Sequence, residues 1–211
     1  MTPATGVASG VAACPFPGET ESGDRALVRA IGDVVLVAVV DALGHGPLAA
    51  GVAKAAMDAL EGASAASVET LVGDCHAALT GSRGAALTLA VFDLPGARLS
   101  WLSVGGVHGV LYRGHDDGTV ETSHVPAWPG IVGYSLPRAR VDRFELSPGD
   151  TLVLATDGID SAFAHHGRAG PPSQAMRREP VQVLADRILA EHLRGHDDAL
   201  VVVARYLGSD G

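Results

Sequence analysis

The sequence predicts an α+β fold, a two-sheet antiparallel β-sandwich flanked by helices. Three observations predict it. Strand-like segments fill the first part of the chain, two helical segments then follow one another, and from Ala85 a long array of strands returns, punctuated by Pro-Gly, Gly-Gly and Ser-Pro-Gly turns. Strands in runs and helices in a pair exclude the regular strand-helix alternation of a parallel α/β sheet.

Each element has a local reason. VASGVAA, RALVRAIG and DVVLVAVVD are strand-like and rich in Val, and Gly32-Asp33 marks a hairpin turn between the last two. PLAAGVAKAAMDALEG is Ala-rich and opens with Pro47, whose fixed φ suits a first helical turn. SVETLVGDCHAALTG repeats apolar residues at helical spacing behind a capping Ser67. AALTLAVFD, ARLSWLSV, GVLYRG, TVETSHV and RVDRFEL make the antiparallel array, and TLVLATDG adds a strand that runs apolar into an abrupt Thr-Asp-Gly end. The polar stretch AHHGRAGPPSQAMRRE predicts a loop or flap, with His165 and His166 on its surface. PVQVLADRILAEHL is an amphipathic helix, and ALVVVARYL closes the chain as a buried strand.

At 211 residues the chain is long enough to enclose a core without disulfide staples, and it is read as one domain over 1–211. Apolar residues make up 47% and charged residues 18%, which excludes a disordered chain, while Asp or Gly breaks the apolar runs well short of a membrane span. The net charge of −9 repels a phosphate backbone, and Arg177-Arg178 is an isolated basic pair, so nucleic acid is not an expected partner. Cys14 and Cys75 are far apart and lack metal-ligand spacing. MTPATGVASGVAACPFPG carries no Lys or Arg, so no export signal is expected and the cytoplasm is the expected compartment.

Function concentrates where apolar strands meet Asp. LVAVVDALGHG leads to Asp41, LVLATDG to Asp157, and GHDDALVVVARY sets Asp197 and Asp198 just before the last strand. Carboxylates brought together at strand ends would repel one another. Hard divalent cations such as Mg²⁺ or Mn²⁺ relieve that repulsion through oxygen ligands while keeping bound water, and such water ionises more readily and attacks phosphorus. Plainer readings stand beside this one: Asp157-Gly158 as a turn pair, Asp197-Asp198 as a charged strand entry, and Asp24 as a turn residue. No DxDxDG calcium loop is present, so convergence must come from the fold.

The order and separation of LVAVVDALGHGPLAAGVAKAA, LVLATDGID and DDALVVVARY resemble the metal-dependent protein phosphatase 2C superfamily, and within it the bacterial SpoIIE-type branch. ESGDR at Glu21 to Arg25, SVGGVHGVLYR around Gly105 and Gly106, and PGIVGY at Pro129 to Tyr134 resemble further motifs of that branch, so the likeness spans essentially the whole chain. It implies a four-layer α-β-β-α arrangement, protein serine/threonine phosphatase activity and two divalent cations, Mn²⁺ or Mg²⁺. It further implies that Asp41 bridges both ions, that the carbonyl of Ala42 completes one site, that Asp157 and Asp197 bind the second ion, and that Asp24 orients bound water. Asp198 then takes a neighbouring position, and an exchange with Asp197 stays open. Arg25 directly follows Asp24, and no counterpart is seen of the arginine that clamps phosphate in eukaryotic members. His45, between Gly44 and Gly46, is expected to be a solvated helix-entry residue, with the two glycines permitting a tight turn. Compact stand-alone members of the branch, the stressosome feedback type, dephosphorylate STAS-domain proteins, which implies such a partner here. A non-catalytic phosphoprotein-binding module and a small-molecule phosphoesterase are the alternatives.

Overall fold

A computed structural model of the chain describes residues 6–64, 67–115, 119–136, 138–164 and 178–208. The expected flap, including His165 and His166, lies outside the described residues except at its ends.

The architecture follows from how one strand is buried. In β3 (Val34–Ala42) the side chains of Leu36, Ala38 and Val40 face one core and those of Val35, Val37 and Val39 face another, all fully buried. A strand covered on both faces reads as an unbroken apolar run, which is why VVLVAVV shows no alternation. The surrounding elements are β1 (Val7–Cys14), β2 (Asp24–Ile31), α1 (Gly46–Gly62), α2 (Val68–Leu79), β4 (Ala85–Asp93), β5 (Arg98–Val104), β6 (His108–Gly114) and β7 (Val120–Ser123). They continue with β8 (Ala127–Trp128), β9 (Asp142–Glu145), β10 (Thr151–Ala155), α3 (Val181–His192) and β11 (Ala199–Tyr206).

One sheet has the order β2-β3-β4-β5-β8, with β9 also pairing β5; the other has the order β1-β11-β10-β6-β7. Their inner faces enclose Phe92, Trp101, Leu152, Leu154 and Val202. Ala49, Ala53, Ala56, Leu60 and Leu71 lay the two N-terminal helices on the outer face of the first sheet, small residues letting α1 approach closely. Leu184, Ala185 and Ile188 of α3 cover Val153, Val201 and Val203 on the outer face of the second. The result is the expected four-layer α-β-β-α sandwich. One pairing departs from the antiparallel expectation: β8 runs parallel to β5, Ser103 opposite Ala127. The hairpin β6-β7 between them belongs to the other sheet, so the chain crosses over and returns in the same direction.

The punctuation acts as the sequence predicts. Gly32 turns the β2-β3 hairpin at φ +57°, and Gly44 and Gly46 adopt φ +85° and +73° at the entry to α1, conformations that cost glycine no Cβ clash. Pro47 stands in the first turn of α1, and the Ser67 hydroxyl accepts from Thr70 N at 3.4 Å to cap α2. Cys14 and Cys75 are free thiols. Among the described residues no helix is long and apolar enough to cross a membrane.

Candidate metal centre

The four acids singled out in the sequence arrive from both sheets. The β2-β3 register sets Asp24 opposite Asp41. From the second sheet, Asp157 lies two residues beyond the end of β10 and Asp197 two residues before the start of β11, and these neighbouring antiparallel strands bring the two ends together. Thr156 N donates to the Leu200 carbonyl at 3.1 Å, and Leu200 N donates to Thr156 Oγ1 at 2.9 Å. With that lone pair occupied, the Thr156 hydroxyl donates to Asp24 Oδ2 at 2.6 Å, tying the acid of one sheet to the strand end of the other.

Gly158 has a reason other than a turn. A Cβ there would collide with the carbonyl oxygen of Asp198, so glycine is what permits the strand carrying Asp198 to pass so close. The segments around the two acids are also laced together: Arg194 N donates to Gly158 O at 2.9 Å, and Asp160 N to His192 O at 2.8 Å.

The adjacent aspartates at 197 and 198 have different surroundings. Asp198 is buried, and its carboxylate accepts from Phe16 N at 2.7 Å and Gly23 N at 2.8 Å, one bond to each oxygen. Asp197 is half-buried, and Oδ1 accepts only the N–H of Asp198, at 2.9 Å, among the described residues. The claim of Asp198 on Gly23 has a further effect. Ala42 N donates to the Gly23 carbonyl at 3.1 Å, and an antiparallel ladder would return Gly23 N to the carbonyl of Ala42. Because that N–H goes to Asp198, the Ala42 carbonyl lacks its ladder donor.

Burial and mutual repulsion raise the carboxyls. Asp24 is pushed up to about 8, first by burial and then by the charge of Asp41, against the opposing hydrogen bond from Thr156. Asp41 is pushed up to about 7 by burial, then by Asp157, Asp197 and Asp198. The Asp157 carboxyl is raised by partial loss of hydration and by Asp197, with Arg194, His108 and His196 acting the other way. Among the described residues no three acid, imidazole or thiol groups are drawn closely enough to hold an ion unaided. The set is therefore an electrostatically coupled group of hard oxygen donors rather than a closed cage. That fits cations such as Mg²⁺, which are held by one or two carboxylates and keep several waters.

His45 is the residue before α1, as expected, and exposed, but it is more than solvated. Its ring stacks on Phe16 at 4.1 Å with planes 9° apart, and Nδ1 lies 3.3 Å from Glu19 Oε1. The sequence alone does not single out Phe16, Thr156 or Arg194. Thr156 was visible as the Thr of Thr-Asp-Gly, whereas the other two act through contacts that no local pattern carries.

Residues 32–207 match the family model described as Stage II sporulation protein E (SpoIIE). Phosphoserine phosphatase RsbX of Bacillus subtilis (strain 168) is 28% identical over 143 residues, 68% of this chain and 70% of that protein. A solved structure from work on the bacterial stressosome, as a modular system adapted to control secondary messenger signalling, has a TM-score of 0.80 and 28% identity over 94% of this chain and 99% of that one. RsbX in complex with magnesium has a TM-score of 0.77 at 19% identity, covering 96% of each chain.

Proposed function

The chain belongs to the SpoIIE family of the phosphatase 2C superfamily, and from that premise we propose that residues 1–211 act as one catalytic domain, a metal-dependent protein serine/threonine phosphatase. The observation that carries this reading is that strand register and the Thr156–Asp24 bond bring Asp24 and Asp41 of one sheet to the strand ends of the other that carry Asp157 and Asp197, where their charges couple. Asp41 is the centre of that coupling, so it is the residue proposed to serve both of two divalent cations, Mn²⁺ or Mg²⁺. Asp157 and Asp197 hold one of the ions. The carbonyl of Ala42 contributes to the other, a role supported by its missing ladder donor. Asp197 is the ligand and Asp198 the scaffold, because the oxygens of Asp198 are already engaged by backbone N–H groups. Bound there, the cations supply positive charge for a phosphoryl group and a water acidic enough to ionise near neutral pH. Asp24, fixed by the Thr156 hydroxyl, orients that water from beside Asp41.

The proposed substrate is a STAS-domain protein phosphorylated on Ser or Thr, in cytoplasmic stress or sigma-factor signalling. Similarity to RsbX, a phosphoserine phosphatase, and to a stressosome structure supports it. The test is Mn²⁺-dependent phosphate release from a Ser-phosphorylated STAS-domain protein by wild type and Asp41→Asn. Loss of at least a hundredfold in turnover with weaker Mn²⁺ binding is expected, since the shared ligand loses its charge. Cleavage of aryl phosphates alone would leave a small-molecule phosphoesterase, and phosphoprotein binding without any turnover would leave a non-catalytic module.

A further inference from the structure

Divalent cations offset the carboxylates, but a side chain that also binds the dianionic phosphoryl group is not supplied by the first sequence motif. Arg25 follows Asp24 on β2, so its side chain points to the opposite face of the strand. Arg194 meets the requirement. It lies between α3 and β11, three residues ahead of Asp197, and its guanidinium Nη1 donates to the carbonyl of Asp157 at 3.2 Å. Its own backbone N–H is held by Gly158 O, so both ends of the residue are referenced to the Asp157 segment. Nη2 lies 4.0 Å from Asp160 Oδ2, too far for a hydrogen bond, and the side chain is 36% exposed. The guanidinium is therefore anchored by a hydrogen bond at Nη1 and held at Nη2 only by a long ion pair with Asp160, which an incoming phosphoryl group would have to outcompete.

A cleft adjoins the Asp157 segment, since His108 pairs with Ala155 at the end of β10. His108, His124 and Ser161 line this cleft of about 410 Å³, and Ser161 directly follows Asp160. Arg194 thus brings a permanent positive charge to the Asp157 flank of an otherwise acidic site.

We propose that Arg194 is a phosphate-binding residue: its planar fork takes the phosphoryl oxygens beside Asp157, and the cleft lined by His108, His124 and Ser161 takes the polypeptide flanking the phosphorylated side chain. The physiological ligand so assigned rests on the phosphatase reading; the anion site itself rests on the geometry. The experiment is calorimetric titration of inorganic phosphate into the Mg²⁺-loaded protein, for wild type, Arg194→Ala and Arg194→Lys, with a Mg²⁺ titration and a melting curve for each. Arg194→Ala should weaken phosphate binding about ten- to a hundredfold, as loss of a charge-assisted hydrogen bond does, and lysine should restore part of it. Mg²⁺ affinity should stay the same or tighten, because a positive charge is removed from beside Asp157. Equal phosphate affinity in wild type and Arg194→Ala overturns the proposal, as does a parallel fall in phosphate affinity, Mg²⁺ affinity and melting temperature, which marks a merely structural residue. Phosphate binding that depends on Arg194 without release of phosphate from p-nitrophenyl phosphate or a phosphoprotein would refute the phosphatase reading and leave this site standing. A working phosphatase whose KM ignores Arg194 would refute this site alone.

Discussion

Replacing Asp198 by alanine should unfold the protein more easily, whereas replacing its neighbour Asp197 by asparagine should instead disable cation binding. Asp198 is 3% exposed, and its carboxylate receives two backbone N–H groups at 2.7 and 2.8 Å. Hydrogen bonds to a charged group contribute about 1.5–3 kcal/mol each, so the pair represents about 3–6 kcal/mol. Part of this is offset because removing Asp198 also removes a charge that repels Asp24 and Asp41. A net loss of about 2–4 kcal/mol is expected, a large fraction of the roughly 5–15 kcal/mol that ordinarily stabilises a domain. For a chain of this size it should lower the melting temperature by about 5–15 °C. The damage should spread, because Phe16 N is one of the two donors and the Phe16 ring stacks on His45 at the start of α1. Asp197→Asn leaves those bonds intact and relieves repulsion on Asp41 and Asp157, so its melting curve should match or exceed that of wild type. Urea and thermal unfolding of both variants, paired with Mn²⁺ titration, provide the assay. A metal-binding defect in Asp198→Ala without lost stability, or a destabilised Asp197→Asn that still binds Mn²⁺ normally, would refute the division of labour.

The metal-free protein should become less stable as pH rises. Asp24 is raised from 3.8 to about 8 and Asp41 to about 7, so both favour the folded state below about pH 4, and that advantage is lost as pH climbs through 7 to 8. Denaturant titrations across this window should reveal a loss of several kcal/mol that saturating Mn²⁺ abolishes and that Asp41→Asn flattens. Gly158→Ala should weaken Mn²⁺ binding and stability together, since the new methyl group must displace the Asp198 carbonyl; unchanged unfolding would contradict the close approach. His45→Ala should lower turnover much less than Asp41→Asn and shift the melting temperature by only a few degrees through loss of the Phe16 stack, as a paired activity and melting measurement would reveal.

Much of this was legible because short-range chemistry and tertiary structure agree. The Val run ending at Asp41 reads as a strand, and Pro47, Ser67, Gly44 and Gly46 mark helix entries by rules that need no distant partner. The strand-terminal acids were likewise visible one by one. Hidden were the relations between them: that Thr156 reaches Asp24 across 132 positions, and that Asp198 draws Gly23 N away from Ala42. Such bonds depend on which sheet edge meets which, information spread over the whole fold. For the same reason Asp157-Gly158 reads locally as a turn, although the glycine answers to a chain 40 residues away. The parallel β8 pairing is two residues long and carries no periodicity to detect.

The acids on β2 and β3 and those beside β10 and β11 are mounted on separate halves of the sandwich. An ion held jointly by Asp41 and Asp157 would therefore act as a rivet between plates that otherwise meet through apolar side chains and a few hydrogen bonds such as those of Thr156 with Asp24 and Gly23 with Asp198. Loading and unloading that rivet would then change how freely the halves breathe, so cation occupancy would bear on the rigidity of the entire molecule as well as on the reactivity of one corner of it.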